Sequence, residues 1–264
     1  MGHLGTLDPV AEGVLPIAIG SGTRLIRFFK ANKIYLAKIR FGLATDTDDI
    51  QGETLSEGDA TGLTEERIND VLERFTGIIE QVPPRFSAAM SKGVRAYKRA
   101  RKGEDFSLKP KNVFILKGEI ISWDTPNLDV RFTVGPGTYI RSIARDIGES
   151  LGVGGCLAAL VREADGPFLM AEAVDISALE KEGVEGIRAK LMPPDFILEG
   201  WPRVELNRDG EISFMHGKVL SDIEFPTESM EGFYAVYGTE GFIGVGVENK
   251  DGRLKANRVI KIND

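Results

Sequence analysis

In residues 127–135, Leu128, Val130, Phe132 and Val134 alternate with polar residues, and in residues 34–42 Tyr35, Ala37, Ile39 and Phe41 do the same against Lys38 and Arg40. Successive side chains of a strand point to opposite faces, so each stretch predicts a strand with one face to bury. Such strands need a second layer to cover them. Helical spacing elsewhere supplies it: Ile68, Val71, Leu72 and Phe75 follow the helix start Thr64-Glu65-Glu66. After Gly135-Pro136-Gly137, Ile140, Ile143, Ala144, Ile147 and Leu151 form one apolar stripe. Arg141 and Arg145 lie off that stripe, which leaves Arg141 free to work in a cleft. A strand over 113–123 joins 127–135 as an antiparallel pair across Asp124-Thr125-Pro126. A short helix is expected over 23–29 with Thr23 as its cap, and another over 177–191, stopped by Met192-Pro193-Pro194. Beyond Trp201, short runs at 233–237 and 242–248 between Gly-rich and charged turns predict a small β-barrel or sandwich. The expected class is α+β, a mixed or antiparallel sheet flanked by helices, with a boundary near the double proline.

Length leaves room for one large or two modest domains: 264 residues. Ordinary proportions of apolar (42%) and charged (28%) residues exclude a disordered or fibrous chain. No apolar run is long enough to span a bilayer, and the opening Met1-Gly2-His3 with Asp8 close behind does not resemble a signal sequence. With Cys156 alone there is no internal disulfide, and His3 and His216 are too few for a zinc or His-rich metal site. These features predict a cytoplasmic protein without a membrane partner, metal or cofactor.

The net charge of −7 argues against a polyanion partner, but its distribution does not. Between Arg85 and Lys117 lie ten Lys and Arg residues against only Glu104 and Asp105. From charge alone, a solvated face explains this as well as a binding site does. Phe86 and Tyr97 within the run, and a second basic group at Arg24, Arg27, Lys30 and Lys33, favour a nucleic-acid partner.

The most informative stretch is Gly2-His3-Leu4-Gly5-Thr6-Leu7-Asp8-Pro9, continued by Gly13-Val14-Leu15-Pro16. Physically it is a loop in which glycines and a φ-fixing proline hold a carboxylate, and a plain Asp-Pro turn would satisfy it. The stretch resembles the catalytic loop of the TruB family of tRNA pseudouridine synthases, G-H-x-G-T-L-D-P-x-A-x-G-V-L. Further segments resemble that family in the same order. They are Lys33-Ile34-Tyr35, Gly42 with Thr45-Asp46-Thr47-Asp48-Asp49, Gln81-Val82-Pro83-Pro84-Arg85-Phe86-Ser87-Ala88, the segment 93–103, Gly137-Thr138-Tyr139-Ile140-Arg141, and Leu160-Val161-Arg162. The likeness spans nearly the whole chain.

The resemblance implies a synthase domain over 1–198 and a small PUA-like RNA-binding domain over 199–264. It implies isomerisation of the T-loop uridine of tRNA at position 55: uracil is detached from ribose C1′, turned, and rejoined through C5, with no cofactor and no obligate protein partner. Asp8 matches the family's essential aspartate, acting either as nucleophile at C1′ or as base at C2′. Arg141 matches the arginine that pairs with it, and Tyr35 the tyrosine that stacks on the flipped base and helps proton transfer at C5. Leu160 matches the residue packing the opposite face of the base, and Tyr139 a hydroxyl partner in the pocket. His3 matches the histidine near the extruded nucleotide. Lys92, Arg95, Arg99 and Arg101, with Arg162, are expected RNA contacts.

Three departures accompany the resemblance. Family members usually carry roughly one βα unit ahead of the loop that here begins at residue 2, which implies a sheet short of a strand beside the site. Met90 stands where a lysine is usual, and Phe86 replaces a tyrosine. Two other readings remain open: a tRNA-binding or folding protein of the same family without catalysis, and a phosphohydrolase holding Mg²⁺ on Asp46, Asp48 and Asp49.

Overall fold

In a computed structural model, which describes residues 1–260, the chain forms two compact units. One comprises residues 6–15 and 31–173, the other, among the described residues, 1–5, 16–30 and 174–260. The division into compact units falls at 173/174, with two N-terminal pieces in the second unit, whereas the sequence reading sets its boundary at 198/199. The physical reason is apolar packing. Leu198, just past the double proline, is buried with Leu25, Ala235, Phe242 and Val245, and so belongs to the later core.

The first unit is built on a seven-stranded sheet. Its path runs Phe168–Leu169, Gly155–Asp165, Lys33–Phe41, Asn127–Val134, Lys111–Asp124 and Gly77–Gln81, all paired antiparallel. The short strand Ala11–Gly13 pairs parallel to Gly155–Asp165, which makes the sheet mixed. The two alternating segments are neighbours in register, Ala37 opposite Val130 and Tyr35 opposite Phe132, and their apolar faces are buried as the pattern requires. Helices Glu65–Arg74 and Ile140–Leu151 cover that face with Ile68, Val71 and Leu72 and with Ile143, Ala144 and Ile147. The Thr64 hydroxyl caps the first by accepting from Arg67 N–H at 3.3 Å.

The helix Ile140–Leu151 lies directly against the start of strand Gly155–Asp165. A Cβ on Gly148 would stand 2.3 Å from Gly155 N, so the approach requires glycine. Gly148→Ala is expected to destabilise the protein by about 1–3 kcal/mol, the cost of overpacking a close contact. Chemical denaturation would check this, and an unchanged midpoint would mean the helix can slide away without loss.

In the second unit a four-stranded sheet runs Arg203–Glu205, Phe233–Gly238, Gly241–Glu248 and Leu254–Val259, its first pair parallel and the others antiparallel. Helix Arg208–Met215 contributes Phe214 to its core, so the arrangement is a sheet with a helix rather than the expected barrel or sandwich. The helix Ile176–Ala189 is broken at Gly183. The expected helix at 23–29 is instead a 3₁₀ segment, Gly20–Phe28. Thr23 lies inside it and donates to Gly20 O, because Gly20-Ser21-Gly22 let the turn begin earlier.

Candidate active site

Asp8 lies in a tight turn, with Ala11 N–H donating to its backbone oxygen at 2.9 Å. The chain leaves the turn as strand Ala11–Gly13, paired to Leu160–Arg162. Gly13 has φ of 105°, and a Cβ there would meet Arg162 O at 2.2 Å, so the loop can be pinned this closely only through glycine. Arg141 comes from the first turn of helix Ile140–Leu151. Its Nε and Nη2 donate to the two oxygens of Asp8, both at 2.9 Å, a bidentate pair. Its other contacts are Thr47 O and Phe86 O, each at 3.0 Å, and Asp49 Oδ2 at 3.5 Å. The guanidinium is 4% exposed while the Asp8 side chain remains 33% exposed, so a fixed cation presents a carboxylate that an incoming molecule can still reach.

Tyr35 stands opposite Arg162 in the adjoining strand, and both Tyr35 and Leu160 are buried in the main core. Burial pushes the Tyr35 phenol above its ordinary value; the Arg162 charge and hydrogen bond oppose this, while Asp165 and Asp8 add to it. Tyr139 caps the helix through its backbone: its N–H donates to Gln81 Oε1 at 2.9 Å, and Gln81 Nε2 donates to its carbonyl at 3.1 Å. One turn of helix on the same side, Ser142 Oγ donates to Val82 O at 2.8 Å. The segment 81–82 thus holds the helix end from which Arg141 projects.

The acidic turn 46–49 does not form a cation cage. Asp46 accepts from Glu53 N–H, Asp49 from Thr47 Oγ1 and Gln51 N–H, and Asp48 from Arg145 Nη1 at 2.8 Å. Each carboxylate has its own protein partner, and among the described residues no group of three or more His, Cys, Asp and Glu is placed to hold a metal ion. Burial raises the Asp48 carboxyl to about 6, with Arg145 and Arg141 pulling it down and Asp146 pushing it up. Because this exceeds the ordinary value of 3.8, the folded state holds the proton more tightly than the unfolded chain. The contribution to stability is full below the ordinary value and is lost as pH rises through about 6. Asp48→Asn is expected to remove that decline, read as urea midpoints across the window; parallel curves for the two proteins would refute it.

The basic segment separates into two groups. Lys92, Arg95 and Arg101 are exposed on the hairpin Met90–Ser91/Val94–Arg95 and at the end of helix Ala96–Ala100, with Arg95 also donating to Ala88 O. Arg99 instead binds Glu104 Oε2 at 2.7 Å and Ser91 Oγ at 2.9 Å and covers the Phe106 ring, so it is committed to holding the segment together. Arg162 requires a full correction as an RNA contact: its side chain is 0% exposed and its partners are internal, so it cannot reach a phosphate at the surface. His3 is exposed in the other unit, paired in the short strand Gly2–His3 with Ile17–Ala18. The reading by residue type overlooked Gln81 and Asp49 as partners of the Arg141 helix. Their signal was the four-residue spacing of Arg141 and Arg145, which places two cations on one face in need of carboxylates and carbonyls.

No helix among the described residues is long and apolar enough to cross a membrane. The chain is similar to a protein in "Structure of H/ACA RNP bound to a substrate RNA containing 2'-deoxyuridine", with a TM-score of 0.72 and 22% identity over 100% of this chain and 77% of that one. A chain in "Crystal Structure of a Cbf5-Nop10-Gar1 Complex" gives a TM-score of 0.71 and 24% identity over 98% and 75%. At these identities the likeness concerns the fold. In sequence, a model described as "TruB family pseudouridylate synthase (N terminal domain)" matches residues 1–140, and "Pseudouridine synthase II TruB, C-terminal" matches 202–260. The class is therefore that of the pseudouridylate synthases, which are isomerases.

Proteins named tRNA pseudouridine synthase B are 43% identical in Synechocystis sp. over 83% of this chain and 75% of that protein, and 40% identical in Acaryochloris marina over 98% and 89%. That of Pseudomonas aeruginosa is 36% identical over 98% and 86%. The chain belongs to the TruB family.

Proposed function

We propose that this protein converts the T-loop uridine at position 55 of tRNA to pseudouridine, with Asp8 as the essential carboxylate. The observation that carries the reading is the buried, fully engaged Arg141 holding an accessible Asp8 in a bidentate pair. The names of its relatives, tRNA pseudouridine synthase B, support tRNA as the substrate.

A uridine in a folded arm must leave its stack to meet Asp8, at a cost on the order of a few kcal/mol. In this reading the cost is offset by stacking of the base between Tyr35 and Leu160, whose side chains become partly uncovered to receive it, and by the carboxylate at the sugar. Asp8, fixed by two charge-assisted bonds, then attacks C1′ or removes the C2′ proton without having to be reoriented first. The freed uracil turns and C5 bonds to C1′, displacing the Asp8 carboxylate on the first route or with the proton returned to C2′ on the second; the C5 proton is then lost and N1 takes one up. Lys92, Arg95 and Arg101 bind phosphates, which gives affinity but little base discrimination and makes binding weaken with salt.

The test is tritium release from a T-arm stem-loop carrying 5-³H-uridine, because the new C5 bond must displace that label. Release by the wild type and none by Asp8→Asn is the expected result. Tight stem-loop binding with no release would replace this reading with that of an RNA-binding protein.

A further inference from the structure

We propose that Arg162 is a positioning residue of the reaction, a buried guanidinium that locks the Tyr35 hydroxyl to the loop carrying Asp8. The inference rests on the isomerase reading and deepens it. Arg162 Nε donates to Val14 O at 2.7 Å and Nη1 to Thr6 O at 3.4 Å, and Arg162 is the cross-strand partner of Tyr35, its charge favouring the ionised phenol. In return Val14 N–H donates to Arg162 O at 3.0 Å. Thr6 and Val14 bracket Asp8 in sequence, so one side chain and its backbone grip both ends of the Asp8 loop while touching the tyrosine.

Behind this grip lies Asp165, fully buried, its Oδ2 3.7 Å from Arg162 Nη1 and its Oδ1 2.8 Å from Lys33 Nζ. An ionic cluster this deep is costly, and apolar residues would fill the space at least as stably. What apolar residues could not do is stabilise negative charge on a phenol oxygen. The charged groups facing that oxygen are Arg162, which favours the phenolate, and Asp165 and Asp8, which oppose it.

At the step that needs this charge, the C5–H bond breaks and the proton passes to the Tyr35 oxygen. The bond's electron pair moves into C5–C6, and N1, released from the sugar, takes up a proton. Arg162 keeps the accepting oxygen aimed and favours the deprotonated form that alone can take the proton, and the loop bonds keep it in register with Asp8.

Four variants of protein labelled with 3-fluorotyrosine test this by ¹⁹F NMR, since fluorination brings phenol titration down toward accessible pH. Loss of one resonance in Tyr35→Phe assigns the signal among the five tyrosines. In Arg162→Met, the Tyr35 resonance is expected to titrate higher by ~1 unit, the low end of what removing an adjacent opposite charge does. In Asp165→Asn it is expected to titrate lower. Arg162→Lys keeps the charge without the fork and should restore the titration but not the full rate, with kcat reduced more than KM.

A merely structural role would not move one titration in opposite directions in two variants. A folded Arg162→Met protein whose Tyr35 resonance or turnover matches the wild type overturns the proposal. If that variant fails to fold, an Asp165→Asn resonance that rises or stays still does so. Absence of tritium release by the wild type would instead strike the isomerase reading, while the titrations still judge the link between Arg162 and Tyr35.

Discussion

Asp8→Asn is expected to lower turnover by at least about a thousandfold, the scale on which removing an acting catalytic group is felt, while leaving stem-loop affinity close to that of the wild type. The amide keeps the shape of the carboxylate but can neither attack C1′ nor take a proton from C2′. It also returns only one acceptor to a guanidinium that has two donors aimed at it. Arg141 retains Thr47 O, Phe86 O and Asp49, so the helix should stay seated. Single-turnover tritium release and filter binding on the same preparation would separate the two effects. Near-normal turnover would refute the role of Asp8, and equal loss of binding and turnover would make it a binding residue.

Arg141→Ala has the other large effect, and it falls on stability as well as rate. Removing the cation from a buried pair leaves carboxylates without their counter-charge and costs about 3–5 kcal/mol. Here Asp8 and Asp49 both lose a partner, and the carbonyls of Thr47 and Phe86 lose a donor. With Asp8 no longer oriented, turnover should fall by about a hundredfold or more. Arg141→Lys, which keeps the charge but not the planar fork, should recover stability more than rate. In the double variant Asp8→Asn/Arg141→Lys, turnover should be no lower than in Asp8→Asn alone, because the two side chains act as one unit. Additive losses in rate would show that Arg141 serves the reaction by some route other than Asp8.

The sheet was legible because period-2 alternation in 34–42 and 127–135 translates directly into buried and exposed faces. The helix bearing Arg141 was legible from its stripe, and Gly148 allows that stripe to lie flat on the strand. Arg162 was misjudged for an identifiable reason. It lies two residues beyond the buried Leu160 and so on the same face, but register shifts between Leu157 and Ala159 and between Arg162 and Ala164 blur the alternation. Its placement among RNA contacts came from the resemblance alone, and the broken period gave no local sign that this arginine is buried. The compact units divide elsewhere than at the double proline because prolines stop helices without ending domains. What decides membership is where Leu198 is buried, a long-range fact with no local signal. Arg99 looked like any other cation in its run, since Glu104 and Ser91 reach it only after the hairpin has closed.

The separation of 133 residues between Asp8 and Arg141 has a consequence for how the protein comes into being. On a growing chain the arginine emerges 133 residues after its aspartate, and only once strands Lys33–Phe41, Lys111–Asp124 and Asn127–Val134 have been made. Closing so long a loop is slow relative to local helix formation, because its entropy is lost before its contacts are gained. A half-synthesised chain therefore exposes a carboxylate with nothing to aim it, and competence arrives in one step when the helix bearing Arg141 docks. The onset of activity during refolding should therefore coincide with completion of the sheet, making the enzyme a reporter of its own assembly.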